Sequence, residues 1–165
     1  MILSDVDGVM TDGSIVIDNS GVETKSFHVR DGLGIKLWQQ AGFAFGILTS
    51  RNSRIVKLRA AELGIAIVRQ GFEDKLAAAR EIFTSQGIQP SEVCYIGDDL
   101  PDLPVMLEVG LSVAVSDAVA EVRSAAKWVL ASQGGHGALR ELTERLLKAR
   151  GRWEDFVPRI QRIDS

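Results

Sequence analysis

Three short polar clusters each close an apolar run. Asp5-Val6-Asp7 follows Ile2-Leu3, Thr49-Ser50 follows Phe43 to Leu48, and Gly97-Asp98-Asp99, with Asp102 close behind, follows Val93 to Ile96. Lys75 opens a helical segment. Carboxylates gathered in one cleft repel each other unless a hard cation sits among them, and a hydrated Mg²⁺ held by one or two carboxylates plus a substrate phosphate is the economical arrangement. Transfer of a phosphoryl group to a carboxylate needs an in-line nucleophile, neutralised equatorial oxygens and an acid for the leaving alkoxide. Each requirement has a candidate. Asp5 would attack, Mg²⁺ and Lys75 would offset charge, and Thr49 with nearby backbone amides would hold the phosphoryl oxygens. Asp7, two residues on and past a pleat reversal, is placed to lean over the leaving group, where it would give a proton and later take one from the water that hydrolyses the aspartyl phosphate.

Taken singly, each piece has a plainer reading. An Asp-x-Asp at a strand end is commonly a turn or helix cap, Thr49-Ser50 an N-cap pair, and Lys75 a solvated helix residue. Their order changes this: strand-Asp-x-Asp-Gly, then strand-Thr, then Lys, then strand-Gly-Asp-Asp-x-x-Asp. Residues so far apart converge when they occupy the carboxyl ends of neighbouring parallel strands.

The elements needed for that are legible. Ser14 to Val29 reads as a β-hairpin around the turn Asp18-Asn19-Ser20-Gly21. Asp31 is expected to cap a helix whose apolar residues are Leu33, Leu37, Trp38 and Ala41, ending at Gly42. A strand over 43–48 precedes a helix carrying Ile55, Leu58 and Ala61 inward and ending at Gly64. Strands over 65–68, 93–96, 111–115 and 128–130 then alternate with helices over 74–85, 103–109, 118–124 and 137–149. This is the signature of an α/β fold, a doubly wound parallel sheet with right-handed crossovers and a β-hairpin insertion, in one domain over 1–150 with a tail over 151–165. The stretches between Asp5 and Thr49 and between Thr49 and Lys75 are already used by these elements, so neither holds a separate cap domain.

Composition agrees. The 165 residues are 45% apolar and 25% charged, as in a globular domain. Nineteen basic against 22 acidic residues leave a net charge of −3, so nothing global attracts nucleic acid or an anionic membrane. Apolar runs are broken by charge before the length of a membrane helix, and no targeting signal is visible. The lone Cys94, in an apolar segment, reads as a core residue, which fits a reducing cytoplasm.

Asp5-Val6-Asp7-Gly8-Val9-Met10-Thr11, Thr49, Lys75 and Gly97-Asp98-Asp99-Leu100-Pro101-Asp102 resemble the four motifs of the haloacid dehalogenase superfamily of phosphohydrolases. The resemblance implies Asp5 as nucleophile, Asp7 as general acid/base, and Thr49 and Lys75 as phosphate ligands. It implies Mg²⁺ on Asp5, the Asp7 backbone carbonyl and Asp98, with Asp102 behind them. Within the superfamily, Thr11-Asp12-Gly13, Val29-Arg30-Asp31-Gly32, Gln70-Gly71 and Gly134-Gly135-His136-Gly137 are similar to a capless family, the phosphatases of 3-deoxy-D-manno-octulosonate 8-phosphate. That likeness implies a Mg²⁺-dependent homotetramer whose neighbouring subunits cover the site, acting in lipopolysaccharide precursor synthesis, with substrate contacts at Arg30, Ser50, Arg51 and Arg59. For the tail over 151–165 two readings stand open, a docked or disordered segment and an interaction role as a lid over the site. Two other readings are a phosphatase of a nine-carbon keto-sugar acid phosphate, against which Arg30 speaks, and a non-catalytic oligomerisation module of the same fold, against which the intact Asp5, Asp7, Lys75 and Asp98 speak.

Overall fold

The computed structural model describes residues 1–157. In chain order its elements are β1 (Ile2–Ser4), a hairpin of β2 (Val16–Ile17) and β3 (Glu23–Thr24), α1 (Val29–Gln40), β4 (Phe45–Thr49), α2 (Arg54–Leu63) and β5 (Ile67–Gln70). These are followed by α3 (Lys75–Gln86), β6 (Cys94–Gly97), α4 (Leu103–Glu108), β7 (Leu111–Ala114), α5 (Ala120–Ala125), β8 (Trp128–Val129) and α6 (Ala138–Ala149). Six strands form one sheet in the order β5-β4-β1-β6-β7-β8, and every pairing in it is parallel. The chain winds outward from β1 through β4 to β5, then returns to the other side of β1 for β6. The reversal therefore lies between β1 and β6, where an open α/β sheet offers a crevice beyond its strand ends.

Register sets the level of the strand tips. Ser4 stands opposite Ile47 and Ile96, which brings Asp5, Thr49 and Gly97 to the same rim. Ile2, Leu3, Ile47, Leu48, Tyr95 and Ile96 are all buried. Central parallel strands covered on both faces favour such continuous apolar runs over alternation.

Two helices turn out differently from the sequence expectation. Helix α2 buries Val56, Ala60 and Leu63 and leaves Leu58 60% exposed, so its inner face is one row round from Ile55, Leu58 and Ala61. Small Ala60 lets this row sit close. Helix α1 starts earlier than expected, with His28 as its N-cap: the His28 Nδ1 accepts from the Arg30 amide at 3.3 Å. Asp31 is buried inside the first turn and accepts from the Arg140 and Gly137 amides at 2.7 and 3.3 Å. It thus caps α6, whose own N-cap, Gly137, has no side chain. Gly34 allows the close approach of these helices, since a Cβ there would lie 2.5 Å from Thr143 Oγ1. Ile35 and Trp38 face the core, and Leu33 faces out.

The hairpin is shorter than the 14–29 span, with Val16 paired to Thr24 and Ile17 to Glu23. Ile15, Val16, Ile17 and Val22 on it are each more than half exposed. At the far end of the sheet, the Arg152 guanidinium donates to the Ala41 carbonyl at 3.2 Å and Trp153 lies 5.1 Å from the Arg140 guanidinium. The start of the tail therefore docks where α1 and α6 end, away from the strand tips. Residues 158–165, the rest of the tail, on which the lid reading also depends, lie outside the described residues. Among the described residues no helix is long and apolar enough to cross a membrane.

Replacing Asp31 by Ala is expected to destabilise the fold by about 2–3 kcal/mol, because two amides at the α6 N-terminus lose a buried carboxylate acceptor. Urea unfolding measures this, and a change below about 0.5 kcal/mol would contradict the cap.

Candidate active site

Asp5 is the first residue past β1. Its amide donates to the Ile96 carbonyl at 3.1 Å, which pins it at the β1/β6 junction. The chain then turns sharply, with the Val6 carbonyl accepting from the amides of Val9, Met10 and Thr11 at 3.2, 2.8 and 3.1 Å. Gly8 makes the turn possible at φ +88°, and a Cβ on it would lie 2.0 Å from Asp98 Oδ2. The loop before α6 backs this turn: the Gly135 amide donates to the Val9 carbonyl at 2.9 Å, and a Cβ on Gly134 would lie 1.8 Å from the Gly8 carbonyl oxygen.

Lys75, the first residue of α3, is buried between two carboxylates. Its Nζ lies 2.7 Å from Asp102 Oδ1 and 2.9 Å from Asp5 Oδ1. Asp102 also accepts from the Tyr95 hydroxyl at 2.6 Å and from the amides of Asp98 and Asp99 at 2.9 and 3.3 Å. Both of its oxygens are occupied. The other two carboxylates are different: among the described residues Asp98 Oδ1 is buried without a hydrogen-bond partner, and Asp5 Oδ1 meets only Lys75, at ion-pair distance but outside hydrogen-bond geometry.

Asp5, Asp98 and Asp102 each offer an oxygen within 4.8 Å of the others'. One ammonium cannot balance three carboxylates so close together. Burial, reinforced by Asp102, holds the Asp5 carboxyl up at about 7 in spite of Lys75. Burial, reinforced by Asp5 and Asp102, holds Asp98 up at about 8. Burial also works against the charge on Lys75, but Asp5 and Asp102 outweigh it and raise its pKa. Orphaned oxygens, an excess of negative charge and an all-oxygen donor set fit a hard divalent cation held by Asp5 and Asp98.

A crevice of about 300 Å³ opens above these groups, lined by Asp5, Asp7, Thr49, Ser50, Arg51, Lys75, Asp98 and Asp102. Arg30 and Arg59 do not line it. Arg30 is exposed on the first turn of α1. Arg59 pairs with Glu62 at 2.7 Å, its guanidinium 5.6 Å from the Phe27 ring centroid. His136 is exposed with Nδ1 2.8 Å from the Gly134 carbonyl oxygen, so it belongs to its own loop. Three participants escaped the sequence reading. Tyr95 was findable, because a tyrosine in a central strand needs a partner for its hydroxyl. Lys25, which pairs with Asp7, and Glu23, which pairs with Lys25 and with Arg51, carried no local signal.

Residues 64–142 match the family model of haloacid dehalogenase-like hydrolases. Over 154 residues the chain is 44% identical to the 3-deoxy-D-manno-octulosonate 8-phosphate phosphatase KdsC of Yersinia pestis, covering 93% of this chain and 82% of that protein. The chain belongs to the KdsC phosphatase family. The KdsC fold is matched in three dimensions as well: the Moraxella catarrhalis phosphatase in complex with a magnesium ion, a phosphate ion and a KDO molecule has a TM-score of 0.92 at 41% identity, covering 94% of this chain and 89% of that one. The cobalt-bound form from Haemophilus influenzae has a TM-score of 0.91 at 41% identity, covering 94% and 91%.

In this KdsC family member both Asp5 and Asp98 are held above the ordinary carboxyl value. Without a cation their contribution to stability is therefore full below about pH 4 and is lost as pH rises through about 7 and 8. A divalent cation favours the ionised forms and must expel protons when it binds near neutrality. The gain in thermal midpoint on adding Mg²⁺ is expected to be larger at pH 8 than at pH 6, with proton release in calorimetric titrations at pH 7. A gain that does not vary with pH would contradict the assignment.

Proposed function

We propose that this chain hydrolyses 3-deoxy-D-manno-octulosonate 8-phosphate to the sugar acid and phosphate. The observation that carries the reading is the buried Asp5 carboxylate at the sheet's reversal point, beside Lys75 and Asp98, in a chain that aligns with KdsC phosphatases over most of its length. Asp5 attacks phosphorus, the ester P–O bond breaks, and Asp7 gives its proton to the departing sugar alkoxide. Water then attacks the aspartyl phosphate, losing a proton to Asp7 and returning Asp5 as a carboxylate. Thr49 and Ser50 at the β4 tip hold phosphoryl oxygens, and Lys75 offsets their charge. Asp5, the Asp7 backbone carbonyl and Asp98 would hold Mg²⁺, which when bound neutralises the phosphoryl group; Asp102 orients Lys75 and the Asp98 backbone.

The sugar acid carries a carboxylate remote from its phosphate, and an arginine suits it by paired hydrogen bonds. Arg51 lines the crevice and is the first candidate. Arg30 and Arg59 are assigned to contacts made in an assembly, since they stand outside their own chain's crevice. We assign a homotetramer packed through the hairpins, supported by the exposed Ile15, Val16, Ile17 and Val22, with Val29 79% and Leu33 49% exposed beside them. An open crevice with no cap domain needs such cover to exclude water. The reading extends to the cytoplasm and lipopolysaccharide precursor synthesis, in keeping with the buried Cys94, whose thiol burial pushes up to about 12.

Asp5→Asn is expected to abolish turnover with the fold intact, as read by phosphate release and circular dichroism; hydrolysis near the wild-type rate would refute the nucleophile. Asp7→Asn is expected to slow the sugar acid phosphate by roughly 10²- to 10⁴-fold, and the first phosphoryl transfer from an aryl phosphate much less, since a phenolate leaves without much help. Sedimentation is expected to report a tetramer, and a fully active monomer would refute the assembly.

A further inference from the structure

Lys25 lies on the hairpin just after β3, yet its side chain is only 1% exposed. Its ammonium forms an ion pair with Asp7 Oδ1 and stands 3.5 Å from Glu23 Oε1. Glu23 is held in turn by Arg51 Nη2 at 2.8 Å and by the Ser53 hydroxyl, which donates to Oε2 at 3.0 Å. A continuous path of charge therefore runs from the turn after β1, through the hairpin, to the loop after β4. The hairpin is otherwise among the more exposed of the described segments, and sinking an ammonium from it is costly unless its partners are well placed.

Asp7 itself has little else to orient it. It sits on a turn beyond the strand, and among the described residues its one hydrogen-bonded side-chain partner is Lys25. A carboxyl that must reach the leaving oxygen in one step and a water in the next cannot swing freely, because a misplacement of about 1 Å can cost 10²-fold.

We propose that Lys25 is a positioning residue for the acid/base Asp7, so that the hairpin, rather than the parallel sheet, sets where the proton is delivered. The proposal rests on the assignment of Asp7 as leaving-group acid. Lys25 holds Oδ1 and leaves the other carboxyl oxygen for the exchange: the proton passes from Asp7 to the sugar alkoxide as the P–O bond breaks, and a proton returns to Asp7 from the attacking water. Glu23 fixes Lys25 from behind, and its bonds to Arg51 and Ser53 tie the acid to the crevice wall at the β4 tip. Packing on the outer face of the hairpin then bears on the chemistry without contributing a group to it.

The test compares Lys25→Met, Lys25→Arg, Asp7→Asn and the double variant Lys25→Met/Asp7→Asn on the sugar acid phosphate in the steady state and on p-nitrophenyl phosphate in a rapid-mixing burst. Lys25→Met is expected to lower kcat for the sugar acid phosphate about 10- to 100-fold with KM changed less than about 3-fold, and to leave the aryl burst rate within about 3-fold. Lys25→Arg is expected to recover most of the loss, and Lys25→Met to cost nothing further once Asp7 is Asn. Should Lys25→Met fail to fold, Lys25→Gln is read in the same way. Equal losses on both substrates, additive losses in the double variant, or an unchanged kcat would overturn the role of Lys25. If Asp7→Asn itself spares the sugar acid phosphate, the acid assignment fails instead, which separates the two outcomes.

Discussion

A lysine ammonium enclosed by carboxylates at the tips of two adjacent strands is the constraint from which the rest of this molecule follows. Lys75 can neutralise only part of the charge that Asp5, Asp98 and Asp102 bring to one end of the sheet. Hydrogen-bond accounting divides the labour among them. Asp102 gives one oxygen to Lys75 and Tyr95 and the other to two backbone amides, so it has no capacity left. Among the described residues Asp98 Oδ1 is buried with no donor and Asp5 Oδ1 meets only the Lys75 ammonium, so the negative charge left over lies on these two. Removing a single partner from such a set leaves the others buried and unbalanced, which costs more than the pair was worth.

The sheet exists in the form that this constraint requires. Placing β1 beside β6 is what brings Asp5 to Asp98, and only a chain that reverses its winding direction can put those strands together. Lys75 arrives on the helix that makes the return crossing from β5 to β6. The carboxylates and Lys75 thus sit on rigid elements, while Asp7 lies on the turn after β1 and is held there by Lys25 of the hairpin. The division has a physical logic: the sheet's strand tips and α3 gather the charged groups, and the appended hairpin reaches only Asp7 and the loop after β4.

Most of this was legible from residue types and order. Strand ends closing on Asp, Thr and Gly-Asp-Asp are strong local signals, and alternation of apolar runs with helical periodicity was enough to place them on one rim. What escaped reading was information carried between segments. Nothing around Asp31 says that it caps a helix whose first residue is Ala138, because the cap is supplied across a tertiary contact. Leu58 looked like core because apolar residues on α2 occupy two neighbouring rows, and only packing decides which row turns inward. Lys25 looked like an ordinary hairpin lysine, since its burial depends on a carboxylate in a different turn. The arginines divide in the same way: Arg51 stands where the strand order puts it, whereas nothing local to Arg30 or Arg59 determines whether each faces the crevice.

The loop ahead of α6 carries a different kind of consequence. Gly134 and Gly135 lie backbone to backbone against Gly8, Thr11 and Asp12, with no side chain between the two layers. Main chain meeting main chain leaves no compressible material, so a single methyl group at either glycine has to move the turn that carries Asp7. Tolerance to mutation must therefore change abruptly within a few residues: the exposed neighbour His136 can drift, while the two glycines beside it cannot. A variant library over this loop would record a boundary of viability one residue wide, lying on a segment that contributes no reactive atom.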